Sequence, residues 1–135
     1  MHENELLMNI MNPDKMVTIT ICSPLRNSEL IDKYTAFYTA LGNLVLTPVR
    51  YDLISKESKD QEKDLKNLHM IHHKKIEMAD AILIINKDGY IGNDTKREMM
   101  SSSLLAKPVM YTNKDDDISE YYFNNNETYP IYICI

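Results

Sequence analysis

Residues 81–85 read AILII, five apolar side chains in a row with no polar residue between them. A strand can be apolar at every position only when both of its faces are covered, and that is the situation in a parallel sheet with helices packed on each side. The rest of the chain fits this constraint. VTITIC (17–22), LVLTPV (44–49) and PVMYT (108–112) are rich in β-branched and apolar residues and read as further strands. Between them, Leu30, Tyr34, Phe37 and Leu41 recur at spacings of three and four, as do Leu65, Leu68, Ile71 and Ile76, which mark helix faces. Ser28 is placed to cap the first of these helices and Gly42 to end it; the second ends near Met78. A third helix is expected from about Asp94 to Leu105, a short one within DDDISEYYF (115–123), and a fifth strand in YPIYICI (129–135).

Alternating strands and helices predict an α/β fold built on a parallel sheet. The chain of 135 residues is of single-domain size. Residues 1–15, polar apart from a patch at Leu6, Leu7, Ile10 and Met11, read as an N-terminal extension, and 16–135 as the α/β domain. The net charge of −5 argues against a nucleic acid polymer as partner. No apolar run approaches the ~20 residues that span a bilayer, and the first residues lack the basic and apolar blocks of a secretory signal. A cytoplasmic protein with no membrane partner is expected, its Cys22 and Cys134 reduced thiols.

Right-handed crossovers bring all strand-to-helix loops to one edge, and ligands of such sheets bind there. That edge would hold Ser23 to Asn27, the segment after Pro48, Asn86 to Asp94, and Thr112 to Lys114. The third of these contains two of the chain's three glycines, Gly89 and Gly92. The loop from Gly89 to Thr95 is either a cradle for an anion or a ribose, or a plain turn into a helix. Glu98 is likewise open to two readings. TKRE (95–98) is a capping box with Thr95 as N-cap and Glu98 at N3; alternatively, Glu98 is a carboxylate aimed at the sheet edge, a nucleophile or base. His69 and His73 are one helical turn apart, but no third ligand accompanies them, so no metal is implied. Lys74 and Lys75 are a solvated face, or one of them meets a phosphate; Asp80 reads as a turn residue.

The stretch LHMIHHKKIEMADAILIINKDGYIGNDTKREMMSSSLLAKPVMY (68–111) resembles the nucleoside 2-deoxyribosyltransferase-like superfamily, in particular its small bacterial and phage members. The resemblance is carried by His72 with Lys74, Lys75, Ile76 and Glu77, then Ala79-Asp80, Asn86, Gly89 to Gly92, Thr95, Glu98 and Lys107-Pro108-Val109. It implies a flavodoxin-like or Rossmann-like sheet and cleavage or transfer at the N-glycosidic bond of a nucleoside or 5′-nucleotide. On this likeness Glu98 is the nucleophile, His72 orients the sugar or moves a proton, and Ser23 with Arg26 holds the sugar-phosphate end. Asn86, Gly89, Tyr90, Gly92, Asp94 and Thr95 complete the ligand site, with Tyr90 over the sugar or base. No cofactor is implied, and a homodimer or higher oligomer is. Two departures stand out. His72 occupies a position where relatives carry an aspartate, and the first loop, Cys22-Ser23-Pro24-Leu25-Arg26-Asn27, keeps the arginine but not the glycines found in nucleotide-hydrolysing relatives. These departures define the alternative, a module that binds a nucleotide or nucleotide-derived signal without turnover.

Overall fold

The structure, a computed structural model, describes residues 3–49, 59–85, 107–112 and 122–123. Helix α1 (Glu3–Met11) leads into strand β1 (Thr18–Cys22), a short 3₁₀ turn (Leu25–Asn27), helix α2 (Ser28–Ala40) and strand β2 (Leu44–Leu46). Helix α3 (Gln61–Met78) follows, then strands β3 (Ala81–Ile84), β4 (Val109–Tyr111) and β5 (Tyr122–Phe123).

The strands form one sheet in the order β2-β1-β3-β4-β5. β1 pairs in parallel with β2 and with β3, and β3 in parallel with β4. The parallel sheet expected from the alternation of strands and helices is therefore present, with Ile19 opposite Ala81 and Cys22 opposite Ile84. β5 is antiparallel to β4, with Tyr111 opposite Tyr122. The short helix expected within 115–123 falls largely outside the described residues; Tyr122 and Phe123, the last two residues of that stretch, are strand. The edge of β4 supplies the pairing partner for these two residues. The helix expected at 94–105 and the strand expected at 129–135 lie outside the described residues.

The two-residue period of the strands divides their apolar runs between two cores. Ile19 and Ile21 of β1, Ala81 and Leu83 of β3, Ile85 and Met110 pack with Ile31, Tyr34 and Tyr38 of α2 and with Leu6 and Ile10 of α1. On the opposite face Cys22, Ile82, Ile84, Val109 and Tyr111 pack with Ile76 of α3 and Ala79. Helices thus cover both faces, as the unbroken apolar run requires. The apolar stripe of α2 is centred on Ile31, Tyr34 and Tyr38, with Leu30, Phe37 and Leu41 half-buried at its flanks.

The segment read from sequence as an extension puts Leu6 and Ile10, both fully buried, into the first core. A nine-residue helix is too short to persist alone, so packing holds α1 in place. Asn43 fastens it: its Nδ2 donates to the carbonyls of Ile10 (3.0 Å) and Tyr38 (3.2 Å), and its Oδ1 accepts the Val17 N–H (3.2 Å). One buried amide therefore joins the ends of α1 and α2 to the start of β1. Gly42, at φ +96°, makes the left-handed turn that allows this.

Two helix starts differ in detail. Asn27, not Ser28, occupies the N-cap position of α2, and its side chain does not cap the helix. Asp60 caps α3, accepting the Lys63 N–H at 3.0 Å. At the other end of α3, Asp80 accepts the Thr18 N–H (2.9 Å) and donates its own N–H to the Thr18 carbonyl (2.8 Å). The C-terminus of α3 is thereby fixed at the amino edge of the sheet. Eighteen helical residues span about 27 Å, while the five of β1 span about 17 Å. The N-terminal part of α3 therefore reaches past the carboxyl edge, which explains why Leu65, expected on a buried face, is 45% exposed; Ile71, beside the sheet-facing His72, is 48% exposed because it lies to one side of the face formed by Leu68, His72 and Ile76.

Candidate functional site

The chain leaves β1 toward β2 on one side and reaches β3 on the other, so the strand order reverses direction at β1. That reversal makes the carboxyl ends of β1 and β3 the crevice where ligands of doubly wound sheets lie. The two ends are locked together: Cys22 is in register with Ile84, and its carbonyl accepts the Ile85 N–H at 3.2 Å.

The loop after β1 is closed by its own side chains. Pro24 has extended dihedrals (φ −59°, ψ 146°), and its carbonyl accepts the Asn27 N–H at 3.0 Å. The Ser23 hydroxyl donates to the Pro24 carbonyl (3.1 Å) and accepts from Asn27 Nδ2 (3.1 Å). Both side chains are buried, and together they set the path of the 3₁₀ turn that presents the exposed Arg26. Without glycine, Pro24 and this paired hydroxyl and amide give the loop its shape. α2 begins immediately afterwards, so its N-terminal dipole adjoins the same edge.

α3 forms the wall on the other face. Its half-buried residues Leu68, His72 and Lys75, with buried Ile76, follow helical spacing along the side toward the sheet. His72 Nε2 lies 3.5 Å from Cys22 Sγ at the end of β1. Lys75 Nζ donates to the Thr47 carbonyl at 2.6 Å, just beyond β2. Burial pushes the Lys75 ammonium below the ordinary lysine value. One turn of α3 thus reaches both β1 and the continuation of β2. The outward side carries an exposed charge cluster in which Glu77 meets Lys74 (3.3 Å) and His73 (3.6 Å).

Of the residues expected at the site, Ser23, Arg26 and His72 come to this carboxyl edge. Asn86, Gly89, Tyr90, Gly92, Asp94, Thr95 and Glu98 lie outside the described residues. Cys22, Asn27 and the anchoring of Lys75 are additions from the structure. Cys22 and His72 are fifty residues apart, and only the rotation of α3 about its axis brings them together. Among the described residues, no group of three His, Cys, Asp or Glu side chains is arranged to hold a metal ion, and no helix is long and apolar enough to cross a membrane.

A doubly wound α/β sheet of order 2-1-3-4-5 with its crevice at β1 and β3 is a flavodoxin-like arrangement. The same fold occurs in the solved structure of a 2-deoxyribosyltransferase from the psychrotolerant bacterium Bacillus psychrosaccharolyticus. The two superpose with a TM-score of 0.56 over 70% of each chain at 23% sequence identity. That enzyme is described as a biocatalyst for the synthesis of antiviral and antitumoral nucleosides. No protein-family model matches the chain, and no curated protein does.

Proposed function

We propose that this protein cleaves or transfers at the N-glycosidic bond of a nucleoside or 5′-nucleotide. The observation that carries this reading is the contact of His72 with Cys22 at the end of β1, with Ser23 and Arg26 in the loop that leaves that strand end, in a fold shared with a 2-deoxyribosyltransferase. The proposed chemistry places the Glu98 carboxylate as nucleophile. It attacks the anomeric carbon, the carbon–nitrogen bond breaks, and its electron pair leaves with the base, which takes up a proton. The resulting glycosyl ester is then opened by water or by a second base. A covalent carboxylate ester divides one hard displacement into two easier ones. In this scheme His72 orients the sugar or supplies the proton, and Arg26 pairs with a phosphate where the substrate carries one. Asn86, Gly89, Tyr90, Gly92, Asp94 and Thr95 line the ligand. The half-buried ammonium of Lys75 adds positive charge beside β2 and favours an anionic substituent on the sugar.

The second reading, a nucleotide-binding module without turnover, is favoured by one observation: the His72 ring rests against a fully buried thiol, so the group at this position is a tethered imidazole. Incubation with a panel of nucleosides and 5′-nucleotides, followed by chromatography for free base, separates the two. Base release is the expected result. A thermal shift with a nucleotide and no release over the whole panel would replace the enzyme with the binding module.

A further inference from the structure

We infer that Cys22 is a positioning residue that fixes the His72 imidazole as its Nδ1–H tautomer. The anchor is rigid. Cys22 ends a central strand paired on both sides, is fully buried, and packs in the same core as Ile76, Ile84 and Tyr111. A thiolate in such apolar surroundings would be costly, so the sulfur keeps its proton. Its partner at 3.5 Å is Nε2 of His72. A thiol is a weak acceptor, whereas the unprotonated imidazole nitrogen is a strong one, so the bond runs from Sγ–H to Nε2. The proton of a neutral ring then resides on Nδ1. His72 is itself held by its helix, because Ile76, one turn on, is buried in the same core as Cys22. Thiol and imidazole are therefore presented to each other from two fixed elements, β1 and α3.

For the function proposed above, on which this part of the inference rests, the consequence is a polarity. With its proton on Nδ1, the neutral ring can act toward an acceptor atom on the sugar or the departing base only as an Nδ1–H donor, not through Nε2. Cys22 acts on the ligand only through His72. It differs in this from Ser23, whose hydroxyl belongs to the loop.

The test is ¹⁵N NMR of the histidine rings in the full-length protein, at the alkaline end of the titration where the rings are neutral. His72→Gln assigns its signals, and His2, His69 and His73 serve as internal controls. In the wild type, Nδ1 of His72 should show the protonated shift and Nε2 the unprotonated one. Cys22→Ala should return His72 to a mixture of the two tautomers and leave the other three histidines unchanged. Cys22→Ser, which retains a hydroxyl donor, should recover part of the bias and covers the case in which the alanine variant folds poorly. If base release is found, Cys22→Ala should lower kcat about tenfold with KM nearly unchanged, part of the roughly 10²–10⁴-fold that a positioned acid or base supplies. A protonated Nε2 in the wild type, or a tautomer pattern unmoved by both substitutions, overturns the inference. The ring measurement needs no turnover, so a biased tautomer without base release would remove the enzyme reading and leave this one standing.

Discussion

The Thr20 hydroxyl donates to the Lys75 carbonyl across 2.7 Å, a bond from the middle of β1 to the last turn of α3. The helix leaves that carbonyl available by tightening its end: the Ala79 N–H bonds to the Ile76 carbonyl, three residues back, in place of Lys75 four residues back. A fully buried threonine in a strand of apolar neighbours thus has a definite task. It satisfies a helix-end carbonyl and sets the rotation of α3, and so the approach of His72 to Cys22. Thr20→Val keeps the shape and removes the donor. We expect a loss of about 1–3 kcal/mol, the cost of leaving a buried acceptor unsatisfied, measured by denaturant unfolding.

Asn43 makes a stronger prediction because three bonds depend on it. Asn43→Ala would strand the Val17 N–H and the Ile10 carbonyl, and would leave the Tyr38 carbonyl only the backbone N–H of residue 43. A loss of about 2–4 kcal/mol is expected, from two or three bonds at about 1 kcal/mol each plus imperfect solvation of what remains. The substitution should also loosen α1, which Asn43 ties to the sheet. Hydrogen exchange should show amides of Glu5 to Met11 losing protection before those of β1 and β3. Uniform loss across the sheet would mean that Asn43 does not act locally on α1.

These two buried polar residues show where sequence reading succeeds and where it stops. The apolar run at 81–85 requires cover on both faces, and that requirement with the strand–helix alternation is enough to reach a parallel α/β sheet. The positions of Ser23 and Arg26 at the carboxyl edge follow from the same logic, since both lie in a loop leaving a strand. The antiparallel β5 does not follow, because two residues carry no period and their pairing with β4 is a tertiary fact. Nor does the exposure of Leu65, which depends on α3 being longer than the strands it covers, or that of Ile71, which depends on how α3 is rotated about its axis. The contact of Cys22 with His72 is invisible for a third reason. Period two places Thr20 and Cys22 on one face, and helical spacing groups His72 with Ile76, but which residues meet depends on how α3 is rotated and slid along the sheet.

Lys75 gives a pH-dependent prediction. Burial lowers its pKa in the folded chain, so between the folded and unfolded values the unfolded chain holds more protons. Stability then rises with pH through that alkaline window, and the desolvation penalty is present in full below it. Lys75→Met removes this titration together with the bond to the Thr47 carbonyl. The stability difference between wild type and variant should be flat near neutral pH and shift in favour of the wild type as the pH approaches 10.5, the ordinary lysine value. Thermal unfolding of the two proteins side by side over this range checks it; a difference that stays flat, or moves toward the variant, contradicts it.

Self-association is also expected. Leu65, Met70, Ile71 and Met78 leave about half or more of their surface exposed along α3, apolar area that a second copy of the chain would cover. Sedimentation at high concentration should show species above the 15.7 kDa of one chain. A single monomeric boundary across the concentration range would exclude it.

The last prediction separates two roles of one carboxylate. Thr95 and Glu98 have the spacing of a capping box, and in that role Glu98 folds back toward the Thr95 amide. As a nucleophile it must instead come within about 3–3.5 Å of the anomeric carbon. Glutamine also serves at the N3 position of a capping box, but its amide cannot form the glycosyl ester. On the proposed function, Glu98→Gln should leave the melting temperature nearly unchanged and abolish base release. On the capping role alone, Gln should change neither property, while Glu98→Ala should cost about 0.5–2 kcal/mol, comparable with losing an N-cap. Unfolding curves and base release on the same preparations of wild type, Gln and Ala variants distinguish the two. A Gln variant turning over at the wild-type rate would take Glu98 out of the mechanism. The crevice at β1 and β3 would then be left without its proposed nucleophile, and the tethered His72 would point to a site that binds without cleaving.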